Sequence, residues 1–300
     1  MRRRVSAEAL GGSNTLRNSD EDGQRVMAKK FEVLRFTDWE SYRRAIGSEK
    51  FKSWAFRGQA STDWPLFSSL SRYLMAYRVR PKYWPQQEAR ILRIFKRKAH
   101  LLLDHLPPEG DSFEWLALMQ HHGAPTRLLD FSWSPFVATF FALERAASDV
   151  AVWAVFPPGL SNRPMRTLRA SQRVARDEVA PWVPGGYEKH FLPNRRPLVV
   201  AGEPHRMNQR LIAQSGTFLM PGVLHKPVEA LVREDAVVKF VLQAGSLRRR
   251  AMSELYNMNI SNATLFPGLD GLARSLAYEL ESHWAFDPVE GKRRKGFYVA

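Results

Sequence analysis

The chain has 300 residues, 44% of them hydrophobic and 12% aromatic, which is enough apolar material for the core of one large domain or two small ones. It contains no cysteine, which excludes disulfides, thiolate catalysis and cysteine-ligated zinc. Basic residues outnumber acidic ones by 45 to 30, so the formal net charge is +15. No apolar run reaches the roughly 20 residues that span a bilayer, and no apolar segment follows the basic start, so we expect a cytoplasmic protein without membrane contacts.

The start of the chain predicts an arm that precedes the folded part. Residues 1–29 are small, polar and charged, with almost no apolar periodicity, which is typical of disordered segments. Folding is expected to begin near Phe31, and we assign residues 30–300 to a single α+β domain. A short apolar strand then ends in Arg57 and Gly58.

Two helices are predicted next. Apolar residues recur at three- and four-residue spacing from Pro85 to Leu106, and two prolines end the pattern, which indicates an amphipathic helix. A second, shorter helix begins at Ser112 and stops at Gly123.

The second half of the chain predicts further strands and helices. Pro135 begins an apolar helix, and residues 157–197, rich in proline, glycine and arginine, are expected to form a long loop. Because strands and helices do not alternate evenly, the pattern favours a mixed α+β fold over a doubly wound sheet. The strands are predicted at 126–131, 149–156, 197–202, 216–220 and 236–243, and the last two helices at 247–258 and 269–283.

The positive charge indicates a polyanionic partner. A field of this size attracts nucleic acids and steers their approach, so nucleic acid is the leading partner class. Two alternatives stay open: the charges are dispersed and only solvate the surface, or an acidic protein neutralises them. Local basic clusters occur at 95–100, 246–252 and 291–296.

The densest polar constellation lies in LALMQHHGAPTRLLDFSWSPFVATFFAL, from Leu116 to Leu143. It places hydrogen-bonding side chains around the end of one predicted strand, which is how a ligand site obtains a few oriented polar groups on an apolar base. The structural alternative is that His121 caps its helix, Asp130 and Ser132 cap the next one, and Arg127 pairs with Asp130. The polar residues are His121, His122, Thr126, Arg127, Asp130 and Ser132.

The sequence resembles the FRG domain family, named for its F-R-G tripeptide. Four blocks carry the resemblance in order over roughly Trp54 to Leu276: FRGQASTDWPLFSSLSR, QHHGAPTRLLDFSWSPFVATFFA, RLIAQSGTFLMPG and NATLFPGLDGLARSL. Signatures of other classes are missing from the sequence: the P-loop, the dinucleotide-binding glycine motif, the zincin motif and the hydrolase elbow.

A more distant resemblance is to the ADP-ribosyltransferases. The order of three elements is similar to the layout of that superfamily. They are an apolar strand ending in arginine, a hydroxyl-bearing strand leading into a VA-xx-FA helix, and a late strand that begins near a polar residue. The resemblance implies a mainly antiparallel sheet with flanking helices and NAD as a substrate. Arg57 would then hold the diphosphate, Thr126 or Ser132 would order the nicotinamide ribose, and Gln214 would contact the ribose hydroxyls.

Other residues complete the predicted site. We assign Gln59, next to Arg57, to NAD binding, and Arg210, one helical turn before Gln214, to a phosphate or the ribose, the alternative for Arg210 being a surface ion pair. His121 or His122 is expected to supply a general base near neutral pH that activates an acceptor, and Asp130 is the alternative to His121 in this role. No metal site is expected.

Gln214 departs from the superfamily pattern, which has glutamate at this place. A carboxylate stabilises the positive charge that builds on the ribose as nicotinamide leaves, whereas an amide provides only hydrogen bonds. Either another carboxylate compensates, with Asp130 and Glu203 as candidates, or the site binds NAD or ADP-ribose without efficient transfer.

Three functions follow from these observations. The first is an NAD-dependent ADP-ribosyltransferase that modifies a nucleic acid, RNA before DNA, as a toxin or phage-defence effector that an antitoxin or inhibitor protein would restrain. The second is a non-catalytic module that binds a nucleotide or nucleic acid. The third is a hydrolase or nuclease built on His121, His122 and Asp130.

Overall fold

The computed structural model describes residues 31–160, 179–281, 283, 285–288 and 290–293. The predicted arm at 1–29 and residues 161–178 of the predicted loop lie outside the described residues. The described chain has a mixed α and β architecture in which helices flank a mainly antiparallel sheet, as the sequence predicts. No described helix is both long and apolar enough to cross a membrane.

Seven strands form the main sheet in the order β1-β7-β4-β2-β3-β6-β5. The β1/β7 pair is parallel and the other pairs are antiparallel. Two further strands form a small hairpin. The strands are β1 Glu32–Phe36, β2 Ala55–Gln59, β3 Leu129–Ser132, β4 Val150–Val155, β5 Val199–Gly202, β6 Gly216–Pro221, β7 Val237–Leu242, β8 Phe286–Asp287 and β9 Lys292–Arg293.

Twelve α-helices are present in the described part of the chain. Several begin at polar caps, as for α5, where the Ser134 side chain accepts a hydrogen bond from Val137 N at 3.3 Å. The helices are α1 Trp39–Ile46, α2 Ser69–Ala76, α3 Trp84–Ala99, α4 Ser112–His121, α5 Pro135–Leu143, α6 Pro157–Leu160, α7 Gly186–His190, α8 Gln209–Ala213, α9 Val228–Leu231, α10 Ala244–Asn257, α11 Asn262–Leu265 and α12 Leu269–Glu279.

Several predicted segments differ from the structure. The strand predicted at 126–131 spans Leu129–Ser132, and the helix predicted at 269–283 ends at Glu279. The helix predicted from Pro85 to Leu106 ends at Ala99, and the next apolar residues lie in a turn where Leu102 is 84% exposed. Its apolar spacing continues past the point where the backbone leaves the helix. The predicted loop at 157–197 contains α6 and α7 among its described residues.

Helices α1, α5 and α10 cover one face of the sheet. Phe56, Val152 and Phe240 project from adjacent strands into this core. Gly58 lies directly under α5, where an added Cβ would overlap the carbonyl oxygen of Ala138. The close approach of α5 to β2 therefore requires glycine at this position.

A buried ion pair joins elements on the other side of the molecule. Arg127 Nε donates to Glu88 Oε1 at 2.6 Å, and both side chains are essentially inaccessible to solvent. Arg127 Nη1 also donates to the carbonyl oxygen of Pro221 at 2.9 Å, which ties α3 and the segment before β3 to the end of β6. The predicted pairing of Arg127 with Asp130 is wrong, because Arg127 turns into the core to meet Glu88.

Candidate functional site

Arg57 is the middle residue of β2 and the centre of the candidate site. It pairs in register with Trp153 of β4, so both residues belong to the same face of the sheet. Its Nη1 donates to the carbonyl oxygen of Asp130 at 2.6 Å and lies 3.8 Å from Asp130 Oδ2. Only 18% of the Arg57 side chain is exposed, compared with 53% of Asp130, so a largely buried cation lies behind an accessible carboxylate.

The surroundings of Arg57 do not fully satisfy its charge. Burial lowers the pKa of Arg57, Asp130 acts in the opposite direction, and the nearby charge of Arg72 lowers the pKa further. Arg57 Nε is buried and makes no hydrogen bond to any residue that the structure describes. An arginine with a single hydrogen bond to the backbone and an unpaired donor retains capacity for an anion.

Gln120, at the end of α4, joins Asp130 to the preceding loop. Its Nε2 donates to Asp130 Oδ2 at 2.8 Å, and its Oε1 accepts from Thr126 Oγ1 at 2.6 Å. Thr126 is buried, and its Oγ1 also accepts from Leu128 N at 3.0 Å. The Thr126 hydroxyl thus fixes the loop and the orientation of Gln120, which in turn holds the Asp130 carboxylate beside Arg57.

Ser132 and Gln214, which sequence analysis assigned to one ribose site, are in direct contact. Ser132 Oγ donates to the carbonyl oxygen of Gln214 at 2.7 Å and accepts from Ser134 N at 3.0 Å. The end of β3 is therefore joined both to the start of α5 and to the end of α8. The side-chain cap of α5 itself is Ser134, two residues beyond Ser132.

Arg210 and Gln214 lie one turn apart on α8 and its C-cap, and both contact the end of α11. The Arg210 guanidinium lies 4.7 Å from the centre of the Phe266 ring, and Gln214 Nε2 donates to the carbonyl oxygen of Leu265 at 3.0 Å. Burial lowers the pKa of Arg210, whereas the charge of Asp130 raises it. Arg210 therefore belongs to the electrostatic environment of Asp130.

His121 is the last residue of α4, and the C-cap is His122. The two rings are 4.9 Å apart in an edge-to-face arrangement. Burial lowers the pKa of His121, and the neighbouring His122 and Arg210 lower it further. The imidazole is therefore neutral at neutral pH, which is the form in which it accepts a proton.

Two of the considered residues form hydrogen bonds with tryptophans that the sequence did not assign to the site. Gln59 is buried, and its Oε1 accepts from Trp153 Nε1 at 2.8 Å. Glu203 Oε1 accepts from Trp133 Nε1 at 2.6 Å, whereas Asp130 lies next to Arg57.

Sequence analysis missed Gln120 and Arg72. Gln120 directly precedes the histidine pair, and Arg72 closes the block that begins with Phe56, so both stood within the quoted motifs. Nothing in a local pattern indicates that Gln120 reaches Thr126 on one side and Asp130 on the other. Among the described residues, no group of three or more histidine, aspartate or glutamate side chains is placed to hold a metal ion.

The comparison with protein families bears on this cluster directly. The model of the FRG domain matches residues 52–150, which include β2, α4, β3 and α5. Arg57, Gln120 and Asp130 lie inside the match, whereas Arg210 and Gln214 lie beyond it. Comparisons with curated proteins and with solved structures gave no match. The resemblance predicted from the sequence is confirmed over residues 52–150, which match the FRG domain.

Proposed function

We propose that the protein transfers ADP-ribose from NAD to a nucleic acid, with RNA as the favoured acceptor. The observation that carries the proposal is the state of Arg57: a largely buried guanidinium with an unpaired Nε, on the central strand of the sheet and beside a second cation, Arg72. A diphosphate provides the paired oxygens that such a guanidinium binds.

The remaining residues support a division of roles around the nicotinamide ribose. Ser132 and Gln214 are held together by a hydrogen bond, so one substrate group can lie near both. Arg210 is available for a phosphate oxygen, while its stacking on Phe266 fixes its direction. Thr126 acts through Gln120 and is a positioning residue in this scheme.

Asp130 takes the electrostatic role that a glutamate has in the superfamily. The bond between ribose C1′ and nicotinamide breaks, and nicotinamide leaves with the electron pair, so positive charge builds on the ribose. The exposed carboxylate of Asp130, held by Gln120, stabilises this charge. A nucleophile of the acceptor then forms the new bond to C1′ and gives its proton to the neutral His121.

The test is to incubate the protein with NAD labelled in its adenylate phosphate, separately with RNA, DNA and a protein extract. We expect label on RNA, release of free nicotinamide, and loss of both in Arg57→Ala. The control is Arg249→Ala, because Arg249 is an exposed arginine on α10, which packs on the opposite face of the sheet. Label on protein alone would exclude the nucleic-acid acceptor.

Binding of NAD with neither transfer nor nicotinamide release would instead support a non-catalytic nucleotide-binding module. Gln214 is the observation that favours this second candidate, because its amide is committed to Leu265 and adds no negative charge. The predicted hydrolase or nuclease based on His121, His122 and Asp130 would require cleavage of the nucleic acid without NAD.

A further inference from the structure

Helix α2 presents an aromatic face that its packing does not use. Leu70, Ser71 and Leu74 are the buried residues of this helix, and the two leucines pack in a cluster with Trp84 and Leu224. On the exposed surface, Tyr73 is 48% and Tyr77 is 72% accessible.

The two tyrosines are arranged as a stacking platform. They are one helical turn apart, and their ring centres are separated by 5.8 Å with an interplanar angle of 29°. Two large exposed aromatic rings in nearly parallel orientation offer flat faces to a planar ligand. Neither ring belongs to a hydrophobic cluster among the residues that the structure describes.

The same surface is strongly basic. The sequence has no aspartate or glutamate from Trp64 to Gln87. Within the part of the chain that the structure describes, none of the four basic side chains of this segment lies within salt-bridge distance of a carboxylate. All four residues are exposed: Arg72, Arg78, Arg80 and Lys82.

At the end of α2, arginine occupies a backbone position that glycine adopts more easily. Arg78 has φ of 55°, in the left-handed region, and the following Val79 N donates to the carbonyl oxygen of Leu74 at 2.9 Å. This is the usual closing turn of a helix, in which glycine is the favoured residue at the left-handed position. The charge of Arg78 is therefore retained at a conformational cost.

The platform is connected to the candidate site through the first turn of α2. Leu70 N donates to the carbonyl oxygen of Thr126 at 3.0 Å, and Thr126 N donates to Ser69 Oγ at 3.2 Å. Arg72, one residue before Tyr73, is close enough for its charge to act on Arg57. Tyr77 lies about 12 Å along the helix from Ser69, so the tyrosines are within a few nucleotides of the helix turn that contacts Thr126.

We infer that this surface, formed by Arg72, Tyr73, Tyr77, Arg78, Arg80 and Lys82, binds single-stranded nucleic acid and guides it to the Arg57 site. Unpaired bases stack on Tyr73 and Tyr77, and the basic side chains bind the phosphates. Stacking requires bases that are free of a duplex, so double-stranded nucleic acid is disfavoured. The role as an acceptor channel rests on the proposed transferase function, whereas strand binding does not.

The experiment measures binding of a fluorescent 20-nucleotide oligouridylate to the full chain by anisotropy, without NAD. Replacing both tyrosines, Tyr73→Ala/Tyr77→Ala, is expected to weaken binding by roughly thirtyfold or more, and Tyr73→Phe/Tyr77→Phe to restore it. Phe286→Ala, at another exposed aromatic residue, is the control and should bind as the wild type does. The affinities for an oligothymidylate and for a duplex of the same length are measured as well, so that single-stranded RNA, single-stranded DNA and double-stranded nucleic acid are compared.

Salt dependence tests the basic residues separately. The triple variant Arg78→Ala/Arg80→Ala/Lys82→Ala should reduce the slope of log affinity against log salt by about 2, since each lost phosphate contact on a single strand contributes about 0.7. Arg249→Ala should leave the slope unchanged. A duplex bound as tightly as the oligouridylate, or equal affinity of the wild type and the double alanine variant, would overturn the inference.

The failure of this inference and that of the proposed function are distinguishable. Strand binding that depends on the tyrosines, without any label transfer from NAD, keeps the surface and removes the transferase. Transfer to RNA with an unchanged KM for RNA in Tyr73→Ala/Tyr77→Ala keeps the transferase and removes the surface.

Discussion

Removal of one partner from the buried Arg127–Glu88 pair should destabilise the protein strongly. Both side chains are inaccessible, at 0% and 1% exposure, and Arg127 links Glu88 to the carbonyl oxygen of Pro221. Glu88→Gln leaves the guanidinium buried with no opposite charge, and breaking such a pair costs about 3–5 kcal/mol. This is a large share of the roughly 5–15 kcal/mol by which domains are stable.

Urea denaturation followed by tryptophan fluorescence measures the effect. With a slope of about 3 kcal/mol/M, Glu88→Gln should lower the midpoint by about 1 M or more. Glu49→Gln is the control, since Glu49 pairs with Lys52 on the surface, and its midpoint should stay at the wild-type value. The apolar double variant Glu88→Leu/Arg127→Met should recover most of the loss. A midpoint for Glu88→Gln equal to that of the wild type would refute the reasoning.

Three further outcomes are expected. Gly58→Ala should lower the free energy of unfolding by about 1–3 kcal/mol, because the added Cβ would meet the backbone of α5. Gly245→Ala, where the added Cβ meets open space, should leave it unchanged, and the thermal unfolding midpoints of the two variants test this difference. Burial and the neighbouring His122 and Arg210 lower the pKa of His121 from 6.5, so as the pH falls the unfolded chain binds a proton at this imidazole before the folded chain does. The stability of the wild type should therefore fall between pH 7 and 5 by more than that of His121→Gln, as measured by urea midpoints. Gln214→Ala should slow nicotinamide release from NAD without changing the thermal midpoint much, and an unchanged rate would remove Gln214 from the site.

The sequence predicts the elements that carry the site because their signals are local. The short apolar strand that contains Arg57 and the helix beginning at Pro135 follow from apolar runs and proline position, and both are present, although β2 continues to Gln59 instead of ending at Arg57 and Gly58. The Ser132–Gln214 contact was expected only through the resemblance, since 82 residues separate the two along the chain. Over residues 52–150, the family model supports the same motifs.

The errors arise where tertiary contacts decide. Arg127 and Asp130 are three residues apart, so local spacing favours their pairing, but the core offers Glu88 from α3, 39 residues away in sequence. Leu102 continues the helical apolar spacing, yet the chain turns before it and leaves it exposed. Gln120 connects two residues that no periodicity relates, so its role becomes visible only in the folded chain.

The most direct test of the central claim, that Arg57 holds the diphosphate of NAD, is the affinity for NAD of the wild type and Arg57→Ala by titration calorimetry. Arg249→Ala is the control, and equal thermal midpoints verify that all three proteins are folded. Because hydrogen bonds to charged groups contribute about 1.5–3 kcal/mol each, Arg57→Ala should bind NAD roughly ten- to hundredfold more weakly, with Arg249→Ala unchanged. Equal affinities of Arg57→Ala and the wild type would contradict the account and leave Arg57 as a tie between β2 and Asp130.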